Sequence, residues 1–187
     1  MPLHITVPKM TKELYSEEKN EFTTIENPKD IELVLEHSLV SISKWESKWH
    51  KPFLSKESKN TVETLDYIRC MTITQNVSPE VYLCLSNENI QEIKEYIDNP
   101  MTATTIRQDP NTPRSRETIT SELIYYWMIT LGMDIEVFQK WHLNRLLTLI
   151  NVCNIKNAPP KKMSQRQLMS RNTALNAARR KKLNSRG

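Results

Sequence analysis

The residues here that could do chemistry are tryptophans, histidines, cysteines and an unbalanced run of cations. In SKWESKWHKPFL, residues 43–54, Trp45 and Trp49 lie four apart, and His50, Lys51 and Phe53 follow at once. Aromatic rings beside a cation and an imidazole suit a protein-docking patch, because large amphipathic rings dominate binding hot spots. The same rings also continue the apolar stripe of Leu39 and Ile42, at helical spacings of three, three and four, which suits packing in a core. A third use, stacking on single-stranded bases, is possible chemically but is opposed by the acidity of this half of the chain.

The remaining reactive types form no catalytic pattern. His4, His37, His50 and His142 show no metal-ligand spacing, and no HExxH motif occurs. His142 is expected to be a hydrogen-bonded surface or boundary residue. Glu88, Glu92 and Glu95 read as the solvated face of a helix rather than carboxyls converging in a pocket. Cys70, Cys84 and Cys153 lie in apolar helical surroundings and form no CxxC, so they are expected to be inert thiols in a reducing compartment. Only two glycines occur, Gly132 and Gly187. A Walker loop or a dinucleotide fingerprint needs more, because glycine lets backbone N–H groups approach the phosphates. The expectation is a protein with no cofactor, no metal and no enzymatic activity.

The net charge of +4 conceals a division. Glu136 is the last acidic residue, and residues 137–187 carry 12 Lys and Arg. Residues 1–136 then hold 14 basic and 22 acidic residues, a balance of −8. An acidic body therefore precedes a basic tail. Arg166, Arg171, Arg179, Arg180, Lys181 and Lys182 are its candidate binding residues. They would draw acidic protein surfaces or phosphates, and the tail has no aromatic for base stacking.

The elements that must position these residues can be read from periodicity. Residues 3–36 contain short β-branched and alternating runs, with a polar turn at 16–20. They predict a small antiparallel sheet of three or four strands. Helix spacing begins after His37 and ends at Pro52. Asn60 with Glu63 predicts a capping box opening a helix whose stripe is Val62, Leu65, Ile68 and Met71. Ser78 with Pro79 predicts a further helix start, and Ser86 caps one lined by Ile90, Ile93 and Ile97. Residues 99–118 read as a long loop. Thr120 opens a helix stopped by Gly132, and Asp134 caps another that carries Ile135, Phe138, Trp141, Leu146, Leu147 and Ile150. Trp127 and Trp141 are expected in the core, and Trp49 is expected to be the most exposed tryptophan. The fold class is α+β, with a globular body over 1–157 and a basic helical arm over 158–187. No apolar run approaches a membrane span, nor does the N-terminus read as a signal peptide.

Several stretches resemble a known family: LEHSLVSISKWESKWHKPFL, DYIRCMTITQNV, PMTAT, WHLNRLLTLINVCNIKNAPPKKMS and LMSRNTALNAARRKKLN. They look like small proteins encoded in the tail-morphogenesis region of siphophages and prophages. The resemblance implies a tail assembly chaperone. Such a protein binds the long helical tape measure protein and keeps it soluble until the tail tube polymerises around it. It also implies the cytoplasm of a bacterial host and a tail protein (tape measure or tail tube component) as partner; self-association is a separate option that the resemblance does not address. The alternatives are a structural virion protein of the neck or tail, such as a completion or connector component, and a nucleic-acid-binding protein acting through the basic arm. For the first reading, nucleic acid should bind only weakly and without sequence preference.

Overall fold

Pro8 and Pro28 shape the N-terminal part of the protein. The computed structural model describes residues 1–16, 21–106, 117–158 and 165–183. Strand β1 (Leu3–Val7) pairs antiparallel with β4 (Ile31–Leu35), and β2 (Met10–Ser16) pairs with β3 (Glu21–Asn27). These are two separate two-stranded sheets, where the sequence suggested one sheet. Val7 pairs with Ile31 and Met10 with Asn27, so the pairing slips by one residue between the two. A single long hairpin is thus broken in its middle. Proline supplies no ladder donor, and side chains replace the missing bonds. Asn27 Nδ2 donates to the carbonyls of Val7 (3.3 Å) and Pro8 (2.7 Å), and the Lys9 N–H donates to Asp30 Oδ1 at 2.7 Å. The turn expected at 16–20 lies largely outside the described residues.

The β1–β4 sheet presents Ile5, Val7, Leu33 and Leu35 to the core, and Ile25 of β3 joins them. Helix α1 (Leu39–Trp49) begins at Ser38, whose cap is a reciprocal box with Ser41. Helix α2 (Thr61–Met71) opens with the predicted Asn60–Glu63 box. Its buried face is Glu63, Tyr67, Ile68 and Met71. Val62, expected on that face, is 64% exposed. The 3-10 helix Pro79–Cys84 leads to α3 (Asn87–Asp98), capped by Ser86. Asn89, Ile93 and Tyr96 are buried on α3, whereas Ile90 turns outward. The described parts of the long loop, residues 99–106 and 117–118, contain no helix or strand.

Helix α4 (Ser121–Thr130) starts at its Thr120 cap, and Gly132 follows it with φ +66°, the left-handed turn for which glycine suits. The next helix does not run on as expected. Asp134 caps only α5 (Ile135–Phe138), and α6 (Leu143–Asn157) begins afresh. The break lets the chain meet the start of α1. Ser38 and His142 form an isolated antiparallel bridge, and the Leu143 N–H donates to the His37 carbonyl at 2.9 Å. Leu143, Leu146 and Ile150 then enter the core.

The chain divides into two units, Met1–Cys153 and Asn154–Gly187, so the division falls within α6. In the second unit, α7 (Gln165–Leu183) is a 19-residue helix with no buried residue. Ser164, which with Gln167 has the sequence spacing of a capping box for this helix, lies outside the described residues.

Candidate functional site

The α1 terminus answers the question posed by its rings. Trp45 is 1% exposed and Phe53 8% exposed. The Trp45 indole N–H donates to the Glu63 carbonyl at 2.9 Å, and its ring packs edge-on to Phe53 with centroids 5.2 Å apart. Phe53 also lies 4.0 Å from the Tyr67 ring. Neither residue can present a surface to a partner, and both leave the predicted docking patch. The chain leaves α1 through the left-handed His50, and Phe53 then packs back against the Trp45 ring.

Glu46 fixes that fold-back. Its side chain is buried, and one carboxylate oxygen accepts the Phe53 N–H at 2.7 Å. The other oxygen accepts the Ser121 N–H at 2.8 Å. Ser121 is the first residue of α4, so the carboxylate also sits where a helix dipole favours negative charge.

Trp49 is half-buried, as are Trp127 and Trp141, so its exposure class does not set it apart. Its indole N–H donates to Asp66 Oδ2 at 2.8 Å, and Lys48 pairs with the other oxygen. Burial pushes the Asp66 carboxyl up, but the bonds from Lys48 and Trp49 outweigh this and hold it below its ordinary range. His50 is exposed and caps α1 in the left-handed conformation, φ 52°, with its N–H donating to the Glu46 carbonyl at 2.8 Å. Lys51, also exposed, pairs with Glu63 at 2.7 Å. That hydrogen bond raises the Lys51 ammonium and lowers the Glu63 carboxyl. What remains on the surface is therefore one edge of Trp49 with His50 and Lys51, its charges already paired in part.

The predicted cationic residues Arg166, Arg171, Arg179, Arg180, Lys181 and Lys182 all lie on α7 and are exposed. Beside them Leu168 is 44% exposed, Met169 66%, Leu175 46% and Leu183 75%. Among the described residues none on this helix is buried, and Arg180, Lys181 and Lys182 fill its last turn.

One cluster escaped sequence reasoning. His37 and His142 are buried, their rings 5.0 Å apart in edge contact. His37 Nδ1 lies 2.5 Å from the Tyr67 hydroxyl, and His142 Nε2 lies 3.0 Å from the Tyr96 carbonyl, to which it donates. The Tyr96 hydroxyl in turn accepts the His37 N–H at 3.4 Å. Burial, then the neighbouring His142, pushes the His37 imidazole down to about 3. Burial also lowers His142 and drives the Tyr67 hydroxyl far above its ordinary range. His142 is thus not the boundary residue expected. The broken helix between Phe138 and Leu143 carries it inward. Sequence spacing holds no trace of the cluster, since its members come from four separate segments. The one available signal is a polar ring at an inward helical position, which Tyr67 and Tyr96 both show.

This cluster does not assemble a nucleophile. Ser41, nearest to it, spends its hydroxyl hydrogen on the Ser38 carbonyl at 2.8 Å, and Tyr67 is held neutral. His142 also borders an open cleft with Glu36, Lys140, Trp141 and Arg145, where the guanidinium lies 4.0 Å from the Trp141 ring centroid. The three cysteines are free, and burial raises the Cys70 thiol, which disfavours thiolate chemistry. Among the described residues no group of three or more His, Cys, Asp or Glu could hold a metal ion. No helix among them is long and apolar enough to cross a membrane. Comparison with protein-family models, curated proteins and solved structures finds no match.

Proposed function

We propose that this protein is a non-enzymatic phage tail assembly chaperone that binds the tape measure protein in the cytoplasm of the bacterial host. The observation that carries the reading is α7, a basic helix of 19 residues that buries none of them. An isolated helix of that length is marginal in water. Its four exposed large apolar residues and its cations fit a segment that gains order on a partner. The resemblance of the longer stretches to tail-morphogenesis proteins supplies the identity of that partner. The surface edge of Trp49, with His50 and Lys51, is a second contact that the same partner can use.

The test is co-expression of the full chain with its phage's tape measure protein, followed by nuclease treatment and affinity capture at physiological salt. The expected result is a stable complex that is lost when Leu168, Met169 and Leu175 become Ser. No capture in either form overturns the reading. Recovery of the protein from purified mature particles instead favours a structural component of neck or tail. Tight binding of one DNA sequence at physiological salt, lost when Arg179, Arg180, Lys181 and Lys182 become Ser, favours nucleic-acid binding.

A further inference from the structure

We propose that α7 of one copy docks on the acidic outer face of α3 in a second copy, giving a salt-labile self-assembly. The inference does not rest on the tape measure reading. Its first support is the exposed basic helix α7, which ends in Arg179, Arg180, Lys181 and Lys182 and has no acidic residue anywhere in its length.

The second support is on α3. Glu88, Glu92 and Glu95 are all exposed and follow one another by four and three residues, so they occupy a strip about 60° wide. Glu95 accepts a hydrogen bond from Gln91 at 2.8 Å. Among the described residues, no Lys or Arg forms a salt bridge with any of the three, whereas Glu32, Asp66 and Glu63 are paired. Lys94 on the same helix lies two residues beyond Glu92, where side chains face apart.

Charge segregation selects a second copy as the occupant. Residues 1–136 carry −8 and residues 137–187 carry +12. A nucleic acid reaching the arm also meets the field of an acidic body, whereas a second copy offsets the surplus of both parts. Two arms exchanged reciprocally would close as a symmetric pair. Such contacts between exposed charges weaken as salt shortens the screening length from about 10 Å at 0.1 M to about 3 Å at 1 M.

The experiment is sedimentation velocity on nuclease-treated full chain, over a concentration series, in about 50 mM and about 500 mM NaCl. The expected mass rises toward twice 22.0 kDa at low salt and returns to 22.0 kDa at high salt. Glu88→Gln, Glu92→Gln and Glu95→Gln together should weaken the association at least tenfold, as should Ser at 179–182. A charge-reversal pair completes the test. One variant has Lys at 88, 92 and 95, and the other has Glu at 179–182. Each alone should stay at 22.0 kDa, and the mixture should associate. Circular dichroism checks that both are folded, and these positions are exposed. A single 22.0 kDa species in both salts overturns the proposal, because it means that the arm is free or folds onto its own body. So does a glutamine variant that associates like the parent, or an association that vanishes with nuclease treatment.

Discussion

Acidification should weaken this fold well before its carboxylates protonate, and His37 is the reason. An imidazole that titrates at 6.5 in the unfolded chain and at about 3 in the native one binds protons preferentially in the unfolded state throughout that interval. Stability then falls as pH falls, with a slope of about 1.36 kcal/mol per pH step once the pH is below 6.5. Between about pH 7 and pH 5 the loss from this residue alone is about 2 kcal/mol, a large share of an ordinary folding free energy. His142, also lowered by burial, acts in the same direction. Glu36, whose carboxyl is raised by burial, acts in the opposite direction. The lowered Glu63 and Asp66 carboxyls lose their contribution only at more acid pH. The assay is urea unfolding followed by tryptophan fluorescence at both pH values, for the parent and His37→Gln. Glutamine keeps a hydrogen-bonding group near the Tyr67 hydroxyl but does not titrate. The parent should lose about 2 kcal/mol or more and the variant about 2 kcal/mol less than the parent. Equal losses in parent and variant would refute the assignment.

The other predictions concern packing and caps. Glu46→Ala leaves the buried N–H groups of Phe53 and Ser121 without an acceptor, and should cost about 3–4 kcal/mol in urea unfolding. Trp45→Ala should cost about 3–5 kcal/mol, whereas the half-buried Trp49 should cost clearly less; equal losses would mean that Trp49 is as much core as Trp45. His50→Gly should raise stability by about 1 kcal/mol, since glycine adopts φ 52° without strain. Duplex DNA binding by the full chain should be sequence-independent and should fall steeply between low and physiological salt, as measured by fluorescence anisotropy.

The α+β class was legible because local signals carried it. Alternating residues in 31–35, the Asn60–Glu63 box, the Ser86 and Thr120 caps, and Gly132 each constrain a few neighbouring dihedrals. What was not legible depended on distant chain. The helix expected after Asp134 is interrupted because His142 bridges Ser38, over a hundred residues earlier. The docking patch lost Trp45 and Phe53 because apolar spacing cannot say whether a ring at a helix end meets solvent or a returning loop. Burial of Glu46 was hidden for the same reason, since both of its oxygens are satisfied by amides that only the tertiary fold delivers, whereas Glu63 was legible as a cap and only its Lys51 partner was not.

The Glu46 junction asks something unusual of its neighbours. Both oxygens are committed to backbone amides, at positions 53 and 121. As far as that carboxylate is concerned, those positions need only an N–H, which every amino acid but one supplies. Phe53 and Ser121 can therefore drift in side-chain identity, within the limits of packing, without loosening the junction. Proline at either position would break it. The signature left in diverging sequences is then a fixed acid at 46 facing two variable sites that exclude a single residue type, a constraint visible only as what never occurs.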